Sequence, residues 1–320
     1  MAQVFNVTGQ QLIGTTLFPL SLTGLICNSI IVYITFQIRS LSPSFAFLTG
    51  FLAFFDSMFN LLYLGYMTPM IVFDLKTLKD YSYQCTYLLM LSYDASFEIH
   101  LLISLNRFFA VFAPMWYRRM FDLQKTKIYA YSCAIFTLVN VSIFSKIVGC
   151  RISYNDEIWM LYYDTVNELC LTYSWIIDMI KNLGVCCFDA IISVITILKV
   201  HWTRKQLQKS TCQKTKSSTV RKKELDFLKQ TSVQGVITLF AISIYCFVPD
   251  LVTNQYVAFM LTTFLIGTVS TVDGITALIY NTEIRSAIFR TRKVSRASVI
   301  SVTELRISNR GSRTLSVNLL

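Results

Sequence analysis

Residues 106–117 read NRFFAVFAPMWY and close a long apolar run that begins near Thr86. Working outward, the rest of the chain has the same character. Of its 320 residues 54% are hydrophobic and 15% charged, and its mean hydropathy is +0.52. A water-soluble fold of this size would lack the polar residues needed to cover its surface. The bilayer is therefore expected to be its main solvent.

A helix that spans hydrocarbon needs about 20 mostly apolar residues, because lipid offers no partner for exposed backbone groups. Seven such runs lie near 12–37, 45–73, 86–113, 127–148, 173–199, 228–251 and 256–280. The first is too long for a signal-peptide core and lacks a basic start and an Ala-x-Ala cleavage pattern, so it reads as a retained span. The expected architecture is an all-α membrane protein, a seven-helix bundle over 12–281. Flanking it are an N-terminal segment 1–11, a short amphipathic juxtamembrane helix 282–293 and a disordered polar tail 294–320.

Lysine and arginine beside spans stay on the cytoplasmic side. With the N-terminus outside, only Lys76, Lys79, Lys146, Arg151 and Lys181 fall toward the exterior, leaving 24 of the 29 basic residues toward the cytoplasm. That count predicts an external N-terminus and a cytoplasmic C-terminus. Asn6-Val7-Thr8 is an N-glycosylation acceptor in the segment so assigned. The net charge of +11 clusters beside spans, most densely over 199–229, with no nucleic-acid motif. It is expected to face anionic inner-leaflet lipid and cytoplasmic proteins. In the juxtamembrane segment, Ile284, Ile288 and Phe289 are expected to face lipid. The tail interleaves Ser and Thr with Arg, so phosphorylation would reverse its charge and suit an arrestin-type partner.

The motifs within the spans resemble the rhodopsin-like G-protein-coupled receptors. Gly24-Leu25-Ile26-Cys27-Asn28 matches GxxxN, Leu52-Ala53-Phe54-Phe55-Asp56 matches LAxxD, and Cys246-Phe247-Val248-Pro249 stands against CWxP. Asn106-Arg107-Phe108 stands where the family has Asp-Arg-Tyr, followed at family spacing by Pro114 and Tyr117. The departures are informative: NPxxY is replaced by Asp273-Gly274 through Leu278-Ile279-Tyr280-Asn281, the fourth span lacks its Trp and the fifth its Pro. Ser44-Phe45, NRFFAVFAPMWY, the Trp159–Cys170 loop and DGITALIYNTEIR resemble the nematode serpentine chemoreceptors, most like class X, over about residues 12–292.

Several roles follow from that resemblance and from the residues themselves. A mid-membrane carboxylate is costly, so Asp56 should face inward and hold a cation, a proton or a polar network with Asn28 and Asp273. Arg107, with Asn106 and Phe108, is expected at the G-protein cleft, where a restraining ion pair would have to come from Glu224 or Asp226. Pro249 should kink the sixth span, Phe247 should report ligand contact to that kink, and Tyr280 is the candidate switch tyrosine. Tyr93 and Ser96 should share the inward face of the third span with Arg107. With Asp178, Asn182 and Asn254 they form the expected ligand pocket, with Lys181 and Gln255 nearby. Asp94 and Glu98 are less clearly placed. No acid aligns with an amine-receptor anchor, so a biogenic amine is disfavoured, and odorant-like molecules and short peptides stay open.

Of nine cysteines, Cys85, Cys150 and Cys170 face outward. A Cys85–Cys170 bridge, pinning the second outer loop across the bundle mouth, is favoured over Cys85–Cys150, although spacing alone does not determine connectivity.

Other classes fit less well. No lysine lies between Gln255 and Thr291 to carry retinal, and His100 and His201, the chain's two histidines, cannot supply a zinc hydrolase site. An insect-type channel would have its N-terminus inside, and no internal repeat suggests a carrier. The expectation is a plasma-membrane chemosensory receptor of sensory neurons. Its partners would be an external small molecule or short peptide, a heterotrimeric G protein, an arrestin-type protein and lipid, without enzyme activity, cofactor, metal or nucleic acid. A neuropeptide-type receptor is the alternative, ahead of a transporter or channel.

Overall fold

The computed structural model describes residues 8–37, 43–157, 159–163, 167–209, 217–247 and 251–288. Among these residues seven helical spans are long and apolar enough to cross a membrane: Gly9–Gln37, Pro43–Val72, Ser82–Phe112, Leu123–Ile147, Glu168–Thr203, Asp226–Phe247 and Gln255–Tyr280. The third, fourth and fifth begin at Ser82, Leu123 and Glu168 rather than at 86, 127 and 173. Polar caps start the fourth and fifth. The Asp122 carboxylate accepts the Lys125 N–H at 2.9 Å, and the Asn167 side chain accepts the Leu169 N–H at 3.1 Å. Such residues start helices without adding hydropathy.

The first span packs on the second and seventh, the third on the second, fourth and fifth, and the sixth on the fifth and seventh. The usual inside-out rule is reversed. Phe36, Phe240, Leu198 and Ile135 are exposed, whereas Asn28, Asp56, Asn60, His100, Asn106 and Asp273 are buried. Outward apolar side chains face the solvent that a bilayer provides. Small residues let the spans close up. A Cβ on Gly24 would meet Asn60 Oδ1 at 2.3 Å and Thr271 Oγ1 at 2.5 Å, so glycine there lets the first, second and seventh spans share one polar seam.

Among the described residues, four spans widen into π-helical turns: Tyr63–Met67, Ile143–Ile147, Ser174–Ile180 and Met260–Phe264. The first precedes Pro69, which lacks an N–H, and Thr68 Oγ donates to the Tyr63 carbonyl at 2.8 Å. The Thr68 hydroxyl thus joins its own backbone N–H on the Tyr63 carbonyl, securing the wide turn just before the proline.

Between the fourth and fifth spans a hairpin of β1 (Ile152–Asn155) and β2 (Met160–Tyr163) pairs antiparallel, with Ile152 opposite Tyr163 and Asn155 opposite Met160. Tyr154 packs into the apolar cluster that holds Leu17, Met70, Leu89 and Phe259, so the hairpin plugs one end of the bundle. Lys79 pairs with Asp74 and Asp156, tying the second-to-third connection to the hairpin. Burial opposes its charge, but the two carboxylates outweigh that and hold the lysine pKa above its ordinary 10.5. The tie's contribution is therefore complete below that ordinary value and is lost only as pH rises through the higher folded one.

Two expectations need correction here. The bridge is Cys150–Cys170, with Cα atoms 5.2 Å apart, and not Cys85–Cys170. Cys85 is a free, buried thiol in the apolar cluster with Tyr154 and Leu89, facing inward from the first turn of the third span. The bridge therefore closes the base of the hairpin instead of anchoring it to that span. After the seventh span residues 282–288 are helical, and Asn281 Oδ1 accepts the N–H groups of Glu283 and Ile284, each at 3.1 Å. Ile284 does not face lipid. It is buried with Ile31, Ile34, Ala53 and Ala277, turning this helix onto the first span. Phe289, Asn6 and the tail lie outside the described residues.

Non-reducing peptide mapping is expected to recover a Cys150–Cys170 crosslink with Cys85 alkylated only after denaturation. Cys150→Ser and Cys170→Ser should each cost about 3 kcal/mol, the loop-closure value for this length, and the double variant no more than either. A Cys85-containing crosslink would contradict this pairing.

Candidate functional site

Below the hairpin lies a small cavity of about 80 Å³. Its roof is Ile152, Met160 and Leu161 from the two strands, and its walls include Phe59 and Tyr63 from the second span and Leu89 and Tyr93 from the third. Asp178 enters from the fifth span, Tyr245 from the sixth, and Thr262 and Thr263 from the seventh. Tyr63, Asp178, Thr262 and Thr263 all belong to π-helical turns. The wide turns thus direct side chains inward that a regular helix would aim elsewhere.

Behind Asp178 runs a hydrogen-bonded network. Tyr163 O–H donates to Asp178, and the Asn182 amide donates to Asp94 at 2.9 Å and Asp178 at 3.2 Å. Burial, and then the adjoining Asp178 carboxylate, push the Tyr163 phenol well above its ordinary pKa, so it remains a donor. Lys181 Nζ sits 2.8 Å from Asp94 and 3.9 Å from Glu98.

Of the expected pocket residues, Tyr93 and Asp178 line the cavity. Asn182 is fully buried behind its wall. Ser96 lies deeper, donating to Asp56 Oδ1 at 2.9 Å. Asn254 is not a pocket residue: its side chain caps the seventh span, accepting the N–H groups of Tyr256 and Val257. A helix cap at a span entrance looks like a ligand contact in sequence alone. Tyr163, Tyr245 and the hairpin contribution carry no motif and were not foreseen.

Midway along the bundle the polar core forms around the third and seventh spans. His100 Nε2 lies 2.8 Å from Asp273 Oδ2, both groups being buried. Gln234 from the sixth span donates to the Asp273 carbonyl at 3.0 Å. Asn28 donates to the carbonyls of Gly24 and Ser270, and Asn60 to the Asp56 carbonyl and Ser270 Oγ. The expected trio is thus divided: Asp56 holds Ser96, Asp273 holds His100, and Asn28 stitches the first span to the seventh. Among the described residues Asp56 Oδ2 has no hydrogen-bond partner, and it adjoins a space of about 10 Å³ lined also by Asn28, Gln230, Gln234 and Asp273. Among the described residues no group of three or more His, Cys, Asp or Glu is arranged to hold a metal. In the sequence His100 carries no motif. Its register, seven residues before Arg107, was the available signal.

At the far end Arg107 is buried, its guanidinium 3.8 Å from the Phe45 ring and 5.4 Å from Phe227. A planar cation between aromatic faces is held without leaving the protein. Asn106 is fully buried. Phe108 stacks on Phe112 at 4.5 Å, and Pro114 opens the short helix Pro114–Met120, on which Tyr117 stacks against Phe121 at 5.9 Å. Tyr280 ends the seventh span. Phe247 does not face the cavity: it is 56% exposed on the last turn of the sixth span. Tyr245, two positions back, takes the inward place. Pro249 and the side chain of Glu224 lie outside the described residues.

Residues 18–281 match the family described as "Serpentine type 7TM GPCR chemoreceptor Srx". Over 308 residues the chain is 29% identical to serpentine receptor class X 45 of Caenorhabditis elegans, covering 91% of this chain and 84% of that one. The fold is similar to that of squid rhodopsin, with a TM-score of 0.72 and 14% identity over 91% of this chain and 88% of that one.

Breaking a buried charged pair from one side leaves the other group unpaired. His100→Leu and Asp273→Leu are each expected to destabilise the purified protein by about 3 kcal/mol, with the double variant losing clearly less than the sum. Additive losses in a thermal-unfolding cycle would show that the pair is not coupled.

Proposed function

Because the chain belongs to the Srx family of serpentine chemoreceptors, we propose that it binds an external small molecule and activates a heterotrimeric G protein. The observation that carries this reading is the inward face of one helix. Tyr93 at the cavity, Ser96 and His100 in the polar core and Arg107 at the far end are 3, 4 and 7 residues apart, close to whole turns of 3.6. One rigid element therefore touches the ligand space, the buried charges and the candidate coupling surface.

The mechanism is a population shift. A ligand that contacts Tyr93, Asp178 and Tyr245 better in one arrangement of the third, fifth and sixth spans favours that arrangement. The sixth span leaves the seventh when the Gln234–Asp273 hydrogen bond opens, and Phe227 on the sixth span then uncovers the Arg107 guanidinium. In this reading the hairpin end and N-terminus are outside, in keeping with the distribution of basic residues. The opposite end meets the G protein, and the phosphorylated tail an arrestin-type partner. The site of action is the plasma membrane of sensory neurons. A cavity roofed by a hairpin suits a small molecule better than a peptide.

Arg107→Ala is expected to abolish ligand-stimulated nucleotide exchange on the G protein while surface display, read through an N-terminal tag, stays unchanged. A response to active nematode extract that survives in this variant would overturn the coupling role of Arg107.

A further inference from the structure

The cavity is chemically lopsided. Among the described residues its lining is aromatic, aliphatic and hydroxyl-bearing apart from one carboxylate, Asp178, and holds no basic residue. Three acids, Asp94, Glu98 and Asp178, gather at the third and fifth spans around one cation, Lys181. That ammonium is committed to Asp94 at 2.8 Å and Glu98 at 3.9 Å. Asp178, among the described residues, is hydrogen-bonded only by the neutral donors Tyr163 and Asn182, with the Lys181 ammonium attracting it at longer range. A carboxylate kept inside a bundle without a cation in contact is costly. A second group points the same way: among the described residues the Tyr93 hydroxyl is buried in the cavity wall without a hydrogen-bond partner.

Building on the chemoreceptor reading above, we propose that the cavity recognises a small molecule with an apolar body and one protonated amine. The ammonium docks on Asp178, with the Tyr93 hydroxyl as a further oxygen acceptor, and the hydrocarbon part lies against Phe59, Leu89 and the hairpin roof. Carboxylic acids of the same size are rejected, because their charge would face Asp178 with no compensating base. This reverses the sequence-based expectation against amines. The acid of the third span, Asp94, is indeed consumed by Lys181. The anchor comes instead from the π-helical turn of the fifth.

The test uses matched probes on the full chain in nanodiscs: 2-phenylethylamine, 2-phenylethanol and phenylacetic acid, with hexylamine, hexanol and hexanoic acid. At least one amine is expected to raise the thermal-unfolding midpoint dose-dependently, its alcohol to do so more weakly, and its acid not at all. Asp178→Asn should weaken the amine effect at least about tenfold, and Tyr93→Phe by less. Acids that stabilise as well as amines, an amine effect that persists in Asp178→Asn, or no shift with any amine would each overturn the proposal. If Asp178→Asn does not fold, the amine-against-acid comparison on the unaltered chain decides. G-protein nucleotide exchange separates the two readings. An amine that stabilises through Asp178 without driving exchange leaves this site standing and refutes coupling. Arg107-dependent exchange driven by a non-amine leaves coupling standing and refutes the amine.

Discussion

Hydrocarbon cannot hydrogen-bond, and the rest of this structure is organised by that constraint. A polar group that the sequence places in a span has only another span or its own backbone to turn to for a partner. The solutions are visible residue by residue. Ser21, Thr35, Thr196 and Ser243 return their hydroxyls to carbonyls one turn back. Asn28, Asn60 and Thr271 are shared among the first, second and seventh spans. Groups that cannot be satisfied locally must be satisfied across the bundle, so they become the links that set how the spans sit together.

The same constraint separates two charged clusters with different consequences. His100 with Asp273 joins the centre of the third span to the seventh, and both residues are deeply buried. Lys181 with Asp94 joins the third span to the fifth nearer the hairpin, leaving Asp178 to face the cavity. In each case the third span supplies one partner. Its 31-residue helix Ser82–Phe112 is the axis about which the other charged side chains are distributed. A displacement of that helix cannot leave either cluster unchanged, because packed interiors rearrange between discrete states rather than deforming continuously.

How much of this was legible in the sequence follows from which forces leave a linear trace. Span number and order were readable because a hydrophobic run of spanning length is local. Arg107 and Asp56 were readable because a charge inside such a run is conspicuous. The cavity was half readable: helical spacing gave Tyr93, but a π-helical turn shifts the facing of everything beyond it, and no residue type announces one. Other positions depart from helical spacing for local reasons: Ser96 turns to Asp56 one layer deeper, Asn254 caps a helix, and Phe247 points outward while Tyr245 takes the inward place. The disulfide failed for a related reason. Three outward cysteines fix no pairing, and only the hairpin register, which brings Cys150 and Cys170 together, decides it.

That register also shapes what the cavity admits. Because β1 and β2 are closed at their base by the bridge and tied through Lys79 at the other side, the roof formed by Ile152, Met160 and Leu161 is held over the opening. A roofed, mostly apolar space favours compact molecules that shed little water on entry. One buried carboxylate then does more than its size suggests, since in low dielectric a single uncompensated charge outweighs many apolar contacts in choosing between ligands of equal shape. Shape is thus set by the hairpin and the π-helical turns, and sign by the arithmetic of Asp94, Glu98, Asp178 and Lys181. Two receptors with the same bundle would differ in what they detect if that local charge balance changed by one.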